Sequence, residues 1–521
     1  SQPRYVSMEQ AMIITRAYQR HEEEPVILKR AYALHDALCE LEIGIEPQEL
    51  IVGNRTKGVR YGVVFPESGI SWVDQELETL PTRPQDKFLV RPEDVQTFRE
   101  VIKPYWKGKS LEDVLKKRYG KEISALSTVV KINQKDHAQG HICPNVREWL
   151  EKGPAGLKEE AQQHLLDCKE EQRPFYESIL LVMDGVCRFL MRYHDELQKE
   201  AKQHPDWKQD MIETAEICKA LSKRPAETFH EAVQSMWILF VVLHMESNAS
   251  SFSPGRLDEI LYPYYRKDRE LGRLDAQRAL DIIECLWLKF NQIVYLRNKN
   301  SAKYFAGFPI GFNIAVGGQD VHGEDVCNEL SFLFLLAQEH IGLPQPNLSV
   351  RLHRGTGDAL LKKAVRVVAK GSGMPQFFND EAIIAELEKL GISHQDAMDY
   401  AIVGCVELTT QGNNLGWSDA AMFNLNKVLE LTLHHGRCLL TNQQLGPDLG
   451  GLDTYESYEA LEIAFDAMID HFLQRMIPAC EEVEKAHIDI LPSPFLSSVI
   501  DDCMEQGMDV TRGGAHYNLS G

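Results

Sequence analysis

Hydrophobic residues recur at three- and four-residue intervals through most of the first 300 positions, which is the spacing that places them on one face of an α-helix. The clearest stretches run over 212–221 and 225–245. Thr228 stands three residues before Glu231, the spacing of a capping box that would open the second stretch. We therefore expect a helical body over about residues 1–300.

The pattern changes after Phe305 to short apolar runs that alternate with amphipathic segments. It predicts strands over 312–316, 347–352, 374–378 and 400–403, and helices over 358–370, 380–390 and 393–397. Such alternation is typical of an α/β sheet or barrel, whose reactive groups lie at strand ends and on the loops that follow. No repeat or linker divides the chain, so we expect one continuous domain over 1–521, with the barrel strands in about 301–521.

Composition narrows the class of partner. The 521 residues include 56 basic and 77 acidic side chains, a net charge of −21, and no run of five Lys or Arg. This balance argues against nucleic acid or an anionic membrane as the main partner. The longest strongly apolar run, 236–243, has eight residues where a membrane span needs about 20. A small-molecule substrate is the better expectation.

The eleven cysteines are scattered singly and include no C-x-x-C pair, which is typical of reduced thiols. The first residues contain no charged segment followed by an apolar one, so no secretory signal is visible. We expect a cytoplasmic protein, and leave open its enclosure in a bacterial microcompartment.

Cys405 and Glu407 are the most informative pair of residues. Alternation along an extended strand end would point both side chains to the same side, so that a thiol and a carboxyl could reach one substrate. The alternative is a buried structural cysteine beside a surface glutamate, as most free cysteines are structural. Spacing alone leaves both open.

Other motifs give weaker evidence of function. The segment 107–110 has the end of a phosphate loop without its glycine-rich cradle. His137 and His141 are four residues apart, but no third metal ligand is evident, so polar histidines are the simpler interpretation and we predict no metal site. His434 and His435 are interpreted as structural.

Several separated segments resemble glycyl radical enzymes of the pyruvate formate-lyase-like group. They occur in the family's order and span nearly the whole chain, at 246–251, 255–256, 345–351, 403–407 (VGCVE), 416–424 (GWSDAAMFN) and 501–518. The resemblance implies a ten-stranded α/β barrel of two half-barrels wrapped by helices, with the active-site cysteine on a loop inside it. It also implies anaerobic chemistry, a homodimer and no bound cofactor besides a radical on a glycine residue. A separate radical S-adenosylmethionine activase would install the glycyl radical.

Carried over residue by residue, the resemblance makes Cys405 the thiyl that takes a hydrogen atom from substrate carbon. Glu407 would be the general base that removes a hydroxyl proton. Asp419 would bind substrate and protonate the departing hydroxide, and Ser250 and Ser251 would line the pocket. His141 would be a further polar group there.

The residue before Cys405 separates the subfamilies. Formate-lyase chemistry needs two adjacent cysteines, and Gly404 stands at the first position. The resemblance therefore favours a dehydratase or related eliminase acting on a small hydroxylated substrate. A radical decarboxylase or formate acetyltransferase-like C–C lyase remains an alternative. A non-catalytic barrel paralogue, or one part of a split enzyme, is another.

The family's glycyl radical lies in an R-V-x-G-Y motif near the C-terminus, and the sequence contains no such motif. We expect that the chain is a fragment, and that the radical-bearing domain lies outside it. A barrel without its last strands would expose sheet edges and apolar surface, so we expect the 521-residue chain to behave poorly alone.

Overall fold

The computed structural model describes residues 3–305, 310–416 and 419–518. Trp417 and Ser418, from one of the segments quoted above, lie outside the described residues. The helices of the first 300 residues are α1 (Glu9–Arg20), α2 (Val26–Glu40), α3 (Ser71–Glu76), α4 (Pro92–Thr97), α5 (Lys103–Trp106), α6 (Leu111–Leu126), α7 (Val146–Asp167), α8 (Arg173–Glu200), α9 (Lys208–Leu221), α10 (Phe229–Glu246), α11 (Leu257–Ile260), α12 (Tyr262–Glu270) and α13 (Ala276–Phe290).

The remaining helices are α14 (Lys299–Phe305), α15 (Glu329–Ile341), α16 (Asp358–Val368), α17 (Asp380–Lys389), α18 (His394–Met398), α19 (Leu425–Leu433), α20 (Tyr458–Ile490), α21 (Pro494–Ser497) and α22 (Cys503–Gln506). The strands are β1 (Val6–Ser7), β2 (Gly62–Val63), β3 (Val130–Ile132), β4 (Asn313–Gly317), β5 (Asn347–Leu352), β6 (Gln376–Asn379), β7 (Ala401–Val403), β8 (Glu407–Thr409), β9 (Asn414–Leu415), β10 (Ala421–Phe423) and β11 (Tyr517–Asn518).

Helix α10 runs through the centre of the protein, and all 18 of its residues are buried. Thr228 and Glu231 form the predicted capping box at its start. The predicted start at position 225 was too early, because the helix begins only after its cap. At the other end, the carbonyls of His244, Met245 and Glu246 accept side-chain hydrogen bonds from Arg55, Gln10 and Arg30. These donors replace the missing helical partners and fix the exit of the chain towards position 250.

Strands β4, β5 and β6 form a parallel sheet in that order. One face, with Ile314 and Val350, belongs to the main apolar core, against which α13 and α15 pack. The opposite face carries polar side chains, and there Arg351 pairs with Asp380 with both side chains fully buried.

Strand β7 contacts β4 and lies over the polar face of this sheet. Arg351 donates to the Tyr400 carbonyl just before β7 at 3.0 Å, and Asn347 donates to the Gly404 carbonyl just after it at 3.1 Å. The chain that follows β7 is therefore held to the sheet by polar side chains of β5.

Candidate active site

Cys405 lies at the tip of a β-hairpin. Strands β7 and β8 are antiparallel with Val403 opposite Glu407, so residues 404–406 form the turn. This corrects the expected extended strand end, because the chain reverses at Gly404, whose φ is +60°. Cys405 is exposed, and the neighbouring Val406 is 56% exposed. The thiol therefore projects from the hairpin.

The Glu407 carboxylate folds back onto this tip. Its Oε2 atom accepts hydrogen bonds from the backbone N–H groups of Cys405 at 2.6 Å and Val406 at 3.0 Å. The turn, and not strand alternation, therefore holds the carboxylate beside the cysteine. Cys405 and Glu407 lie close together, as the sequence predicted, but the predicted cause, alternation along a strand, was wrong.

Gly404 has no room for a side chain. A Cβ at this position would lie 2.3 Å from Glu407 Oε2 and 2.6–2.7 Å from two ring atoms of His141. The imidazole and the carboxylate thus converge on one point beside the hairpin. A second cysteine at 404 would collide with both groups, which gives a physical reason why the residue before Cys405 is glycine.

His141 is held in place by the backbone near Ser250. Its N–H donates to the Ser250 carbonyl at 2.8 Å, and the Ile142 N–H donates to the Ser251 carbonyl at 3.3 Å. A Cβ at Gly140 would come within 1.8 Å of the Ser250 carbonyl oxygen, so only glycine permits this approach. His141 and Ser251 both have positive φ values, +57° and +62°. Such backbone strain in non-glycine residues is concentrated at functional sites.

The two serines have different surroundings. The Ser251 N–H and hydroxyl both donate to the Ile310 carbonyl, at 3.1 and 3.3 Å, so this hydroxyl is engaged with the backbone. The Ser250 side chain lies beside the phenol of Tyr295. Both residues stand next to His141, and their role as substrate ligands remains a prediction.

Asp419 is tied to strand β3 by Asn133. The Asn133 Nδ2 atom donates to the Asp419 carbonyl at 3.0 Å and to its Oδ1 atom at 2.8 Å. The carboxylate also lies within electrostatic reach of Cys405. Partial desolvation of the thiol, followed by the negative charges of Glu407 and Asp419, raises the pKa of Cys405 above its usual value of about 9. The sulfur therefore keeps its hydrogen at neutral pH.

Three amides that support the site were not found from the sequence. Besides Asn133, Asn347 donates to the Gly404 carbonyl at 3.1 Å. Gln139 donates to the carbonyls of Gly140 at 2.9 Å and Gly416 at 2.7 Å. No periodicity marks such residues, because each contacts a segment distant in sequence.

The motifs that were set aside have structural surroundings. The side chain of Ser110 caps α6, so 107–110 is a helix start. His137 pairs with Asp136 at 2.8 Å, and His435 lies between two surface aspartates. Within the described ranges, no three His, Cys, Asp or Glu side chains are arranged to hold a metal ion. In that same part of the chain, no helix has both the length and the apolar character needed to cross a membrane.

Comparison with known proteins was made against family models, curated proteins and solved structures. The model of the pyruvate formate lyase-like family matches residues 1–521. The chain belongs to this family. It is 30% identical over 534 residues to (2S)-3-sulfopropanediol dehydratase of Klebsiella oxytoca, covering 99% of this chain and 64% of that protein. The chain thus spans slightly less than two thirds of this relative's length.

Solved structures give the same result for the fold. The glycerol-bound B12-independent glycerol dehydratase from Clostridium butyricum matches with a TM-score of 0.95 and 34% identity, over 99% of this chain and 66% of that one. A glycyl radical enzyme from Archaeoglobus fulgidus also matches with a TM-score of 0.95, at 30% identity, over 99% and 68%. The fold is the α/β barrel of the glycyl radical enzymes, as the sequence motifs predicted.

Proposed function

We propose that this protein is part of a glycyl radical dehydratase, which eliminates water from a small hydroxylated substrate. The observation that carries the proposal is the convergence of Glu407 and His141 on the Gly404 position of the Cys405 hairpin, with Asp419 within electrostatic reach. Relatives named as a sulfopropanediol dehydratase and a glycerol dehydratase support the same reaction class.

We assign each site residue a separate role in the elimination. A glycyl radical, when present, supplies the unpaired electron that converts the Cys405 thiol to its reactive form. A thiol that keeps its hydrogen fits that need, since a hydrogen atom and not a proton is exchanged. The sulfur takes the hydrogen from the carbinol carbon and returns one after elimination. The chain's other groups move only protons.

Glu407 is placed to accept the proton of the hydroxyl on the carbon that loses its hydrogen. The C–O bond of the neighbouring carbon then breaks, and the departing hydroxide leaves as water once it has received a proton. We propose that this second proton comes from the protonated form of Asp419 or of His141, which then returns to its unprotonated form. Ser250 and Ser251 complete the proposed pocket.

Gly404 supports elimination over formate-lyase chemistry. That chemistry needs a second cysteine at this position, and the positions of Glu407 and His141 leave no space for its Cβ. We also infer a radical S-adenosylmethionine activase as a partner, a homodimer as the oligomeric state and a cytoplasmic location. These inferences rest on the family.

The test uses the protein expressed from its complete reading frame and activated anaerobically by a radical S-adenosylmethionine activase. We expect an electron paramagnetic resonance signal of a glycyl radical. With glycerol, 1,2-propanediol or 3-sulfopropanediol, an aldehyde product would be followed by its reduction with NADH and an alcohol dehydrogenase. Release of CO2 from a carboxylate substrate would instead identify a decarboxylase.

Two variants make the test specific. Cys405→Ala and Glu407→Gln should each abolish turnover, because the first removes sulfur and the second removes the base while keeping an oxygen for the two N–H groups. Cys327→Ala, which changes a half-buried cysteine at the start of α15, is the matched control and should remain active. Appreciable turnover by either site variant would refute the assignment.

A further inference from the structure

Asn133 holds Asp419 through two hydrogen bonds and the next residue, Ala420, through a third. Antiparallel pairing of β3 with β10 brings it there, with Ile132 opposite Ala421. The Asn133 N–H donates to the Ala420 carbonyl at 2.9 Å. Its side-chain amide donates to both the carbonyl and the Oδ1 atom of Asp419. One buried residue therefore fixes the backbone and the carboxylate of Asp419 together.

A second buried amide connects the same two segments. The Gln139 Nε2 atom bonds the carbonyl of Gly140, which precedes His141, and the carbonyl of Gly416, three residues before Asp419. The loop that carries the imidazole and the loop that carries the carboxylate are thus joined at two points. A shift of Asp419 relative to His141 would break hydrogen bonds of buried groups, which is costly.

The bond from Asn133 also distinguishes the two oxygens of the carboxylate. It occupies Oδ1, and among the described residues no hydrogen-bond donor lies on Oδ2, so Oδ2 can face a substrate. We propose that Asn133 is a positioning residue, which fixes the Asp419 carboxyl beside Cys405 with Oδ2 directed to the departing hydroxyl. This inference rests on the proposed function for its catalytic consequence, but the placement itself can be tested without turnover.

The placement test uses the charge of Asp419 as a probe. Because this charge raises the pKa of the Cys405 thiol, Asp419→Asn should lower that pKa. The thiol is titrated through the pH dependence of its alkylation by iodoacetamide, with the modified peptide identified by mass spectrometry. Asn133→Ala frees the carboxylate to move into solvent, so it should lower the thiol pKa in the same direction.

The double variant decides whether Asn133 acts through Asp419. If it does, Asn133→Ala changes the thiol pKa in the wild-type background and leaves it unchanged in the Asp419→Asn background. Asn413→Ala is the matched control, since Asn413 is similarly buried and donates to a different carboxylate, that of Asp396, at 2.9 Å. It should titrate as the wild type. An unchanged thiol pKa in Asn133→Ala, or a change that persists without Asp419, would overturn the proposal.

Turnover of the activated protein supplies the second readout. Asn133→Ala should lower kcat by about 100-fold, as expected when a reacting group is displaced by about 1 Å, and Asn413→Ala should not. In the Asp419→Asn background the further loss should vanish. If the thiol pKa changes as expected but the wild-type protein shows no turnover, the proposed function is refuted and the placement of Asp419 by Asn133 stands. Failure of the proposed function and failure of this inference are therefore distinguishable.

Discussion

Replacing Gly404 by alanine tests whether crowding at the Cys405 hairpin sets the geometry of the site. The new Cβ would meet Glu407 Oε2 at 2.3 Å and the His141 ring at 2.6–2.7 Å. Since ordinary contacts begin near 3.4 Å, the carboxylate must retreat by about 1 Å. Alanine at φ +60° adds about 1 kcal/mol of backbone strain.

Both effects can be measured separately. Displacement of the base by about 1 Å predicts a loss of about 100-fold in kcat/KM of the activated protein. Gly391→Ala is the matched control, because Gly391 has φ +90° and no atom within 4 Å of the built Cβ. The Gly391→Ala variant has the backbone strain without any new side-chain contact. It should therefore lose about 1 kcal/mol of stability and no activity.

The comparison is made by urea unfolding and by initial rates under identical activation. Gly404→Ala should be no more stable than Gly391→Ala and far less active. If the two variants turn over equally fast, the close approach of Glu407 and His141 to Gly404 does not control catalysis, and the geometric argument for the site is refuted.

Two further predictions concern the frame of the barrel. Arg351→Met leaves the charge of Asp380 buried without its guanidinium, so urea unfolding should show a loss of about 3–5 kcal/mol, and a loss below 1 kcal/mol would contradict this. Burial lowers the pKa of His244 to about 3, whereas the unfolded value is about 6.5. The unfolded state therefore binds the extra proton first, and stability should fall as pH decreases from 6.5 towards 3. His244→Met should flatten this dependence in thermal unfolding scans, and an unchanged slope would contradict it.

Local features of the fold could be predicted because they depend on neighbouring residues. The capping box of α10 and the strands near 313–317 and 347–352 follow from side-chain spacing within a few positions. The predicted helix 358–370 ends at Val368, and its start at Asp358 is confirmed. Hydrophobic period and caps act over one or two turns, so they leave their pattern in the sequence.

The candidate site was predictable only in part. Sequence motifs identified the family, which supplied the fold, and they gave Cys405 and Glu407 as candidate catalytic residues. Alternation along a strand gave the wrong reason for the pairing of thiol and carboxyl, because a turn at Gly404 reverses the chain. Turn conformation there depends on what else occupies the space, which the local pattern does not contain.

By itself, the sequence determined the helical first half, the alternating second half and the candidate site residues. The tertiary structure alone decided how those residues are held. Asn133 and Asp419 are 286 positions apart, and they meet because β3 pairs with β10. His141 and Glu407 meet beside Gly404 because two backbone segments approach at Gly140. Such contacts depend on the packing of distant segments, and a hydrogen bond between them leaves no periodic trace along the chain.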